Sequence, residues 1–224
     1  KKQFDNASLS YNQNQFKEAI DAYLLVINQY PEEERSIIGL GNMVRSACKL
    51  SLTVEDKDEK AYYKLLESMF IGYLAEAFPN KSKLILEAAG NEMLGLAQFY
   101  RDNNMTAQAE NVQTLFYENY SSHSLAAQLL MGDAEKLYGE ESYAEALKLY
   151  EILAKNYTKS PLSLEALKRM GDCYGKLNDS KKEIAARKAY YERNAAKKKP
   201  LPVVIVVWIF CALLYVGQVS PVAF

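Results

Sequence analysis

Ten glycines, six prolines and a single histidine in 224 residues leave this chain little from which to build tight turns or a catalytic centre. Scarce Gly and Pro favour long helices over short strands joined by sharp turns. The three cysteines, Cys48, Cys173 and Cys211, are far apart and include no C-x-x-C pair, so no disulfide framework or thiolate metal motif is expected. A reducing compartment is the easier fit. The lone histidine, His123, lies in YSSHSLAA without nearby Cys or acidic ligand spacing. It reads as a surface residue in the first turn of a helix capped by Ser121 or Ser122. No P-loop, G-x-G-x-x-G or nucleophile elbow is present, and Gly39 and Gly41 fall inside a helical pattern that points to close packing. The chain is therefore expected to be no enzyme, with no catalytic residues, no bound metal and no cofactor.

Charge is balanced overall at −1, but unevenly placed. Residues 168–199 carry eleven Lys/Arg against four Asp/Glu, which leaves the remainder acidic. Directly after Lys197, Lys198, Lys199 and Pro200 comes LPVVIVVWIFCALLYVGQVSPVAF, a run of 24 residues with no charge. About 20 apolar residues cross a bilayer as a helix, so 201–224 is expected to span a membrane, with 197–200 as a basic juxtamembrane linker. Lysines before the run and none after it place the preceding domain on the cytoplasmic side and the C-terminus across the membrane.

Residues 1–196 show an internal repeat. Tyr30-Pro31, Phe78-Pro79, Tyr120-Ser121 and Tyr157-Thr158 each close an amphipathic run and open a short turn. Phe16, Ala19, Tyr23 and Val26 in the first unit correspond to Tyr143, Ala146, Tyr150 and Leu153 in the fourth. In the third, Ala109 and Phe116 keep register while Gln113 replaces the aromatic. Spacings of three, four and seven put these side chains on one helical face. A second helix precedes each run and carries a small residue (Gly41, Ala97, Ala134 or Gly171) where the two helices of a hairpin would approach closely.

This pattern resembles the tetratricopeptide repeat, most strongly in QFKEAIDAYLLVINQYP, SYAEALKLYEILAKNY and MGDCYGKL. The resemblance implies an all-α fold, a right-handed solenoid of about five antiparallel helix hairpins over 1–196, completed here by the C-terminal transmembrane helix. There are departures from the family. The closing aromatics lie 48, 42 and 37 residues apart, against about 34 in a standard repeat. The second unit has extra residues around Leu50–Lys60, and its Glu67 stands where Ala is expected. The long repeats are also similar to those of bacterial envelope-assembly proteins.

A stacked solenoid presents a concave face lined by the first helix of each hairpin. By the repeat register that face includes Tyr11, Asn91, Gln98, Arg101, Gln128, Glu135, Tyr138, Lys168 and Asp172. Family members that hold chaperone tails use an Asn at a set groove position. Here those positions are Ser8, Gln98, Glu135 and Asp172, so that clamp is absent. No basic stripe with interleaved aromatics runs along the repeats, and nucleic acid is not an expected partner. The functional expectation is a membrane-anchored scaffold whose repeats bind a protein partner in the assembly or stabilisation of a membrane complex. Its tail would meet lipid or other transmembrane subunits. The alternatives are an accessory subunit of a large membrane complex and a periplasmic envelope-assembly factor.

Overall fold

The computed structural model describes residues 2–197, and among them the fold is all α. Ten helices follow in order: α1 (Lys2–Asn12), α2 (Phe16–Gln29), α3 (Glu34–Thr53), α4 (Lys57–Ala77), α5 (Lys83–Asp102), α6 (Thr106–Asn119), α7 (Ala126–Gly139), α8 (Tyr143–Asn156), α9 (Leu162–Lys176) and α10 (Ser180–Lys197). They pair in chain order into five hairpins, α1/α2 to α9/α10, and each hairpin packs on the next.

The turns show the repeat at the level of single peptide units. Asn14, Asn104, Glu141 and Asn178 all adopt a left-handed backbone, with φ of 59° or 60°. At Asn104 the amide donates to the Arg101 carbonyl at 3.0 Å, and the next amide, of Met105, donates to the Tyr100 carbonyl at 2.8 Å. The same pair of bonds recurs at Glu141 (to Tyr138, with Ser142 to Leu137) and at Asn178 (to Gly175, with Asp179 to Tyr174). A left-handed residue lets one helix end and the next begin within three residues, and Asn tolerates it best among residues with a Cβ.

The second hairpin breaks this rule. Val54 and Asp56 connect α3 to α4 through extended backbone, and the Asp56 carboxylate caps α4 by accepting from the Glu59 amide at 2.8 Å. The extra residues around Leu50–Lys60 therefore lengthen α3 and α4 to 20 and 21 residues and replace the tight turn.

Alanine and aromatic positions of the repeat form the core. Ala19, Ala109 and Ala146 are fully buried or nearly so, as are Tyr23, Phe116 and Tyr150. Burying a large apolar side chain contributes about 2–3 kcal/mol, but a buried hydroxyl left without a partner costs about 1–3 kcal/mol. The tyrosines meet that cost in a repeated way. Tyr23 reaches Ser8 at 3.1 Å and Tyr150 donates to Glu135 at 2.8 Å, each bond running 15 residues back to the other helix of its own hairpin. The closing aromatics bond between hairpins: Tyr120 donates to the Leu74 carbonyl, and Tyr157 to the Tyr117 carbonyl at 2.7 Å.

Two expectations need correction here. Gly171 does admit Arg187 of its own hairpin, where an added Cβ would lie 3.1 Å from the Arg187 side chain. Gly41 does not serve its hairpin: an added Cβ would strike Glu92 on α5. The glycine is needed because α3 and α5, the first helices of neighbouring hairpins, pack directly on each other.

The second correction concerns the fold class. Among the described residues no helix is long and apolar enough to cross a membrane, so a transmembrane helix is not part of the described architecture. The longest helices, α3 to α5, each carry several charged residues among their apolar ones. The run 201–224 lies outside the described residues, as do Lys198 and Lys199, while Lys197 is the last residue of α10.

Glu67 occupies the repeat's alanine position inside the core, 9% exposed, and accepts a hydrogen bond from the buried Tyr100 hydroxyl. Burial pushes its carboxyl above the usual range, while bonds from Tyr100 and Cys48 act in the opposite sense. A carboxyl raised on folding binds more protons in the native state. Its contribution to stability is full at acid pH and is lost as pH rises through the folded-state value. Glu67→Gln is therefore expected to raise the thermal midpoint at pH 7, with the gain vanishing at pH 4, where Glu67 itself is neutral. Circular dichroism melts at the two pH values measure this. Separately, Glu141→Asn is expected to stabilise the chain by about 0.5–1 kcal/mol in urea unfolding, since it removes a long side chain from a left-handed position.

Candidate partner-binding surface

The surface built by the first helices α1, α3, α5, α7 and α9 follows one register. The residue after each small core residue is Ser8, Asn42, Gln98, Glu135 or Asp172, and three further on stand Tyr11, Arg45, Arg101, Tyr138 and Gly175. Of the expected surface residues, Asn91, Gln98, Arg101, Gln128 and Lys168 are exposed, while Tyr11, Glu135, Tyr138 and Asp172 are half-buried.

Several of them are brought together. Arg169 joins two: its guanidinium lies 5.3 Å from the Tyr138 ring centre, and its Nε is 2.8 Å from a Glu135 oxygen. Glu135 also takes the Tyr150 hydroxyl, so this carboxylate both closes the core and anchors the surface cation. Arg101 donates to Gln113, which in turn donates to Asp133 on α7, linking the third hairpin to the fourth. Asp172 lies 3.4 Å from Arg187, Lys168 lies 3.2 Å from Glu165, and the Gln98 amide donates to Asp102 at 2.7 Å. Tyr11 packs edge-on against Phe16, and burial raises its hydroxyl above the usual phenol range, with Arg45 acting in the opposite sense. Asn91 and Gln128 stand apart, with no side-chain hydrogen bond among the described residues.

The most enclosed polar group on this face is one that sequence reasoning missed. Arg45 and Glu92 form an ion pair at 2.6 Å between α3 and α5, with side chains only 17% and 14% exposed. Burial pushes the Glu92 carboxyl up, and the Arg45 charge and hydrogen bond act against that rise. Asn42 extends the pair by accepting from Arg45 at 3.3 Å and donating to the Tyr23 hydroxyl at 2.8 Å. Further along α3, Lys49 donates to Asn103 at 2.8 Å and lies 5.5 Å from the Phe99 ring centre. The signal for these residues was in the sequence, because Asn42 and Arg45 follow Gly41 at the offsets that single out Gln98 and Arg101. Arg169 carried no such offset.

His123 is not a surface residue. It is 4% exposed, in the connection before α7, with its ring edge-on to Phe116 at 5.2 Å. Its Nδ1 accepts from the Leu125 amide at 3.3 Å, and its Nε2 lies 3.2 Å from Glu87 on α5. Gly90, on the same helix, leaves the space that the ring fills. Since α5 and α7 do not pack on each other, this histidine and its neighbours seat the fourth hairpin on the third. The Glu87 carboxyl, although burial opposes it, is lowered by the hydroxyl and amide of Ser124 and by His123.

Burial raises the thiols of Cys48 and Cys173 to about 12 and about 11, so both stay protonated at neutral pH. A depression of about 500 Å³ is lined by Glu32, Glu33, Glu34, Arg35, Leu84 and Ile85, none of which belongs to the Arg45 or Arg169 clusters.

No protein-family model matches the chain. No curated protein matches it. Among solved structures it is similar to one described as the crystal structure of BtubC (BKLC) from P. vanneervenii. That match has 12% identity and a TM-score of 0.35, and covers 88% of this chain and 80% of the other. A likeness this distant carries no argument about what the chain does.

Arg45→Met, which strands Glu92, is expected to cost about 3 kcal/mol in denaturant unfolding, and the double variant Arg45→Met/Glu92→Leu is expected to recover most of that loss. Equal losses in the single and double variants would mean that the pair is not coupled.

Proposed function

We propose that the chain is a tetratricopeptide-like scaffold that binds a protein partner along the face of its first helices. Five successive hairpins support the tetratricopeptide reading, as do the alanine and aromatic register that the first and fourth share in full and the four turns with a shared left-handed residue. The observation that carries the functional reading is the set of polar and aromatic side chains at two fixed offsets, three residues apart, on the first helices of successive hairpins. Its half-buried members are already held by neighbours, as Glu135 and Tyr138 are held by Arg169 and Asn42 by Tyr23 and Arg45. Side chains fixed before binding lose little rotamer freedom when a partner arrives, and repeat proteins use such rigid extended surfaces for recognition.

Charge matching narrows the partner. Arg45, Arg169, Lys168 and Arg187 each sit beside a carboxylate, so the face offers tyrosines, amides and neutralised ion pairs instead of continuous positive potential. Such a surface suits a peptide or protein segment bound through aromatic packing and hydrogen bonds.

Photo-crosslinking side chains placed at Gln98, Gln128 and Lys168 are expected to capture one common protein, and the same groups at Glu110 and Lys148, exposed on second helices, are not. Capture that is equal at all five positions would place the binding surface elsewhere. With that protein in hand, Tyr138→Ala is expected to weaken binding by about tenfold, as loss of an aromatic anchor does.

A further inference from the structure

The helix α4 has two apolar sides. One, carrying Tyr63, Phe70 and Leu74, is buried in the core. A helix on the surface of a soluble domain turns a polar face outward. Here the opposite side presents Tyr62, Leu65, Met69 and Tyr73, which are 55%, 58%, 56% and 44% exposed. Gly72, between the last two, has open space where a side chain would stand. The spacings of three and four residues put these positions in one line, the spacing of a helix–helix seam. None of the neighbouring helices α3, α5 and α6 covers this line.

We propose that this line is the seam of a two-fold symmetric dimer in which α4 of one copy lies antiparallel on α4 of another. The sequence of the stripe is complementary to its own reverse about Met69. With Met69 on the axis, Leu65 meets the partner's Tyr73, and Tyr62 meets the partner's Glu76. That carboxylate is exposed and accepts the phenol hydroxyl. Gly72 gives each helix a flat place for close approach beside the axis. Asp58 falls beyond the end of the facing helix, so no like charges oppose each other. Closed two-fold contacts of this kind are the commonest among protein oligomers. From Tyr62 to Glu76 the seam runs about 21 Å at 1.5 Å per residue. One helix face of that length falls short of the about 800 Å² per partner in a stable interface, so the dimer is weak and depends on concentration.

The test uses the full chain with Cys211→Ser, because Cys48 and Cys173 are buried. Met69→Cys in that background is expected to be joined to a second copy by a short bismaleimide at least about tenfold faster than Leu25→Cys, an exposed control on α2. A mixture of Tyr62→Cys and Glu76→Cys chains is expected to crosslink as the mixed pair, and neither alone. Adding Leu65→Glu, at an exposed position that leaves the helical circular dichroism unchanged, is expected to abolish capture at Met69→Cys. Capture of Met69→Cys at the control rate, or capture that survives Leu65→Glu, overturns the proposal. Association through residues 201–224 would give the first of these results. Occupation of the stripe by another protein would give no capture of a second copy at all, and also overturns it.

Discussion

A tyrosine buried between helices supplies much apolar area and one hydroxyl that has to be bonded, and that requirement orders this stack. Where the hydroxyl reaches back within a hairpin, as from Tyr23 to Ser8 and from Tyr150 to Glu135, it sets how the two helices slide against each other. Where it reaches the previous hairpin, as from Tyr120 to the Leu74 carbonyl and from Tyr157 to the Tyr117 carbonyl, it sets the step from one unit to the next. Each target is a single atom, so a shift of one helical turn would leave the hydroxyl buried without a partner. Apolar burial holds the stack together, and these bonds choose its register.

The regular stack then accommodates irregular junctions. At the second, α3 and α5 lie directly together because Gly41 makes room for Glu92, and the charge brought in is met by Arg45. At the third, α5 and α7 stand apart. Contact passes instead through α6 and the connection that follows it, with His123 seated over Gly90 and Asp133 receiving both Gln113 and Tyr117. The surface of the first helices, proposed above to bind a partner, inherits this unevenness. It is closed and ion-paired at the N-terminal end, open between α5 and α7, and organised around Arg169 at the C-terminal end.

Much of the helical organisation was legible in the sequence, because it depends on local periodicity. Alanine and aromatic spacings located the hairpins. What was not legible depended on which helix lies beside which. Gly41 reads as a contact within its hairpin and proves to be a contact with the next one. Glu67 reads as a departure from the repeat and proves to be a buried carboxyl bonded by Tyr100. His123, with no ligand pattern around it, reads as a surface residue and is buried, because its partners Glu87, Gly90 and Phe116 come from two other helices. The expected membrane span at 201–224 lies outside the described residues, and none of the described helices supplies one.

The sequence by itself determined the antiparallel helix hairpins with their alanine and aromatic core, since helix period, turn residues and side-chain size are local properties. Only the tertiary structure decided how the hairpins meet. It made Arg45 and Glu92 a pair, gathered Glu135, Tyr138 and Arg169 at one place on the candidate surface, and left one side of α4 uncovered. These outcomes turn on distances between residues up to 47 positions apart, and no periodicity within a helix encodes them.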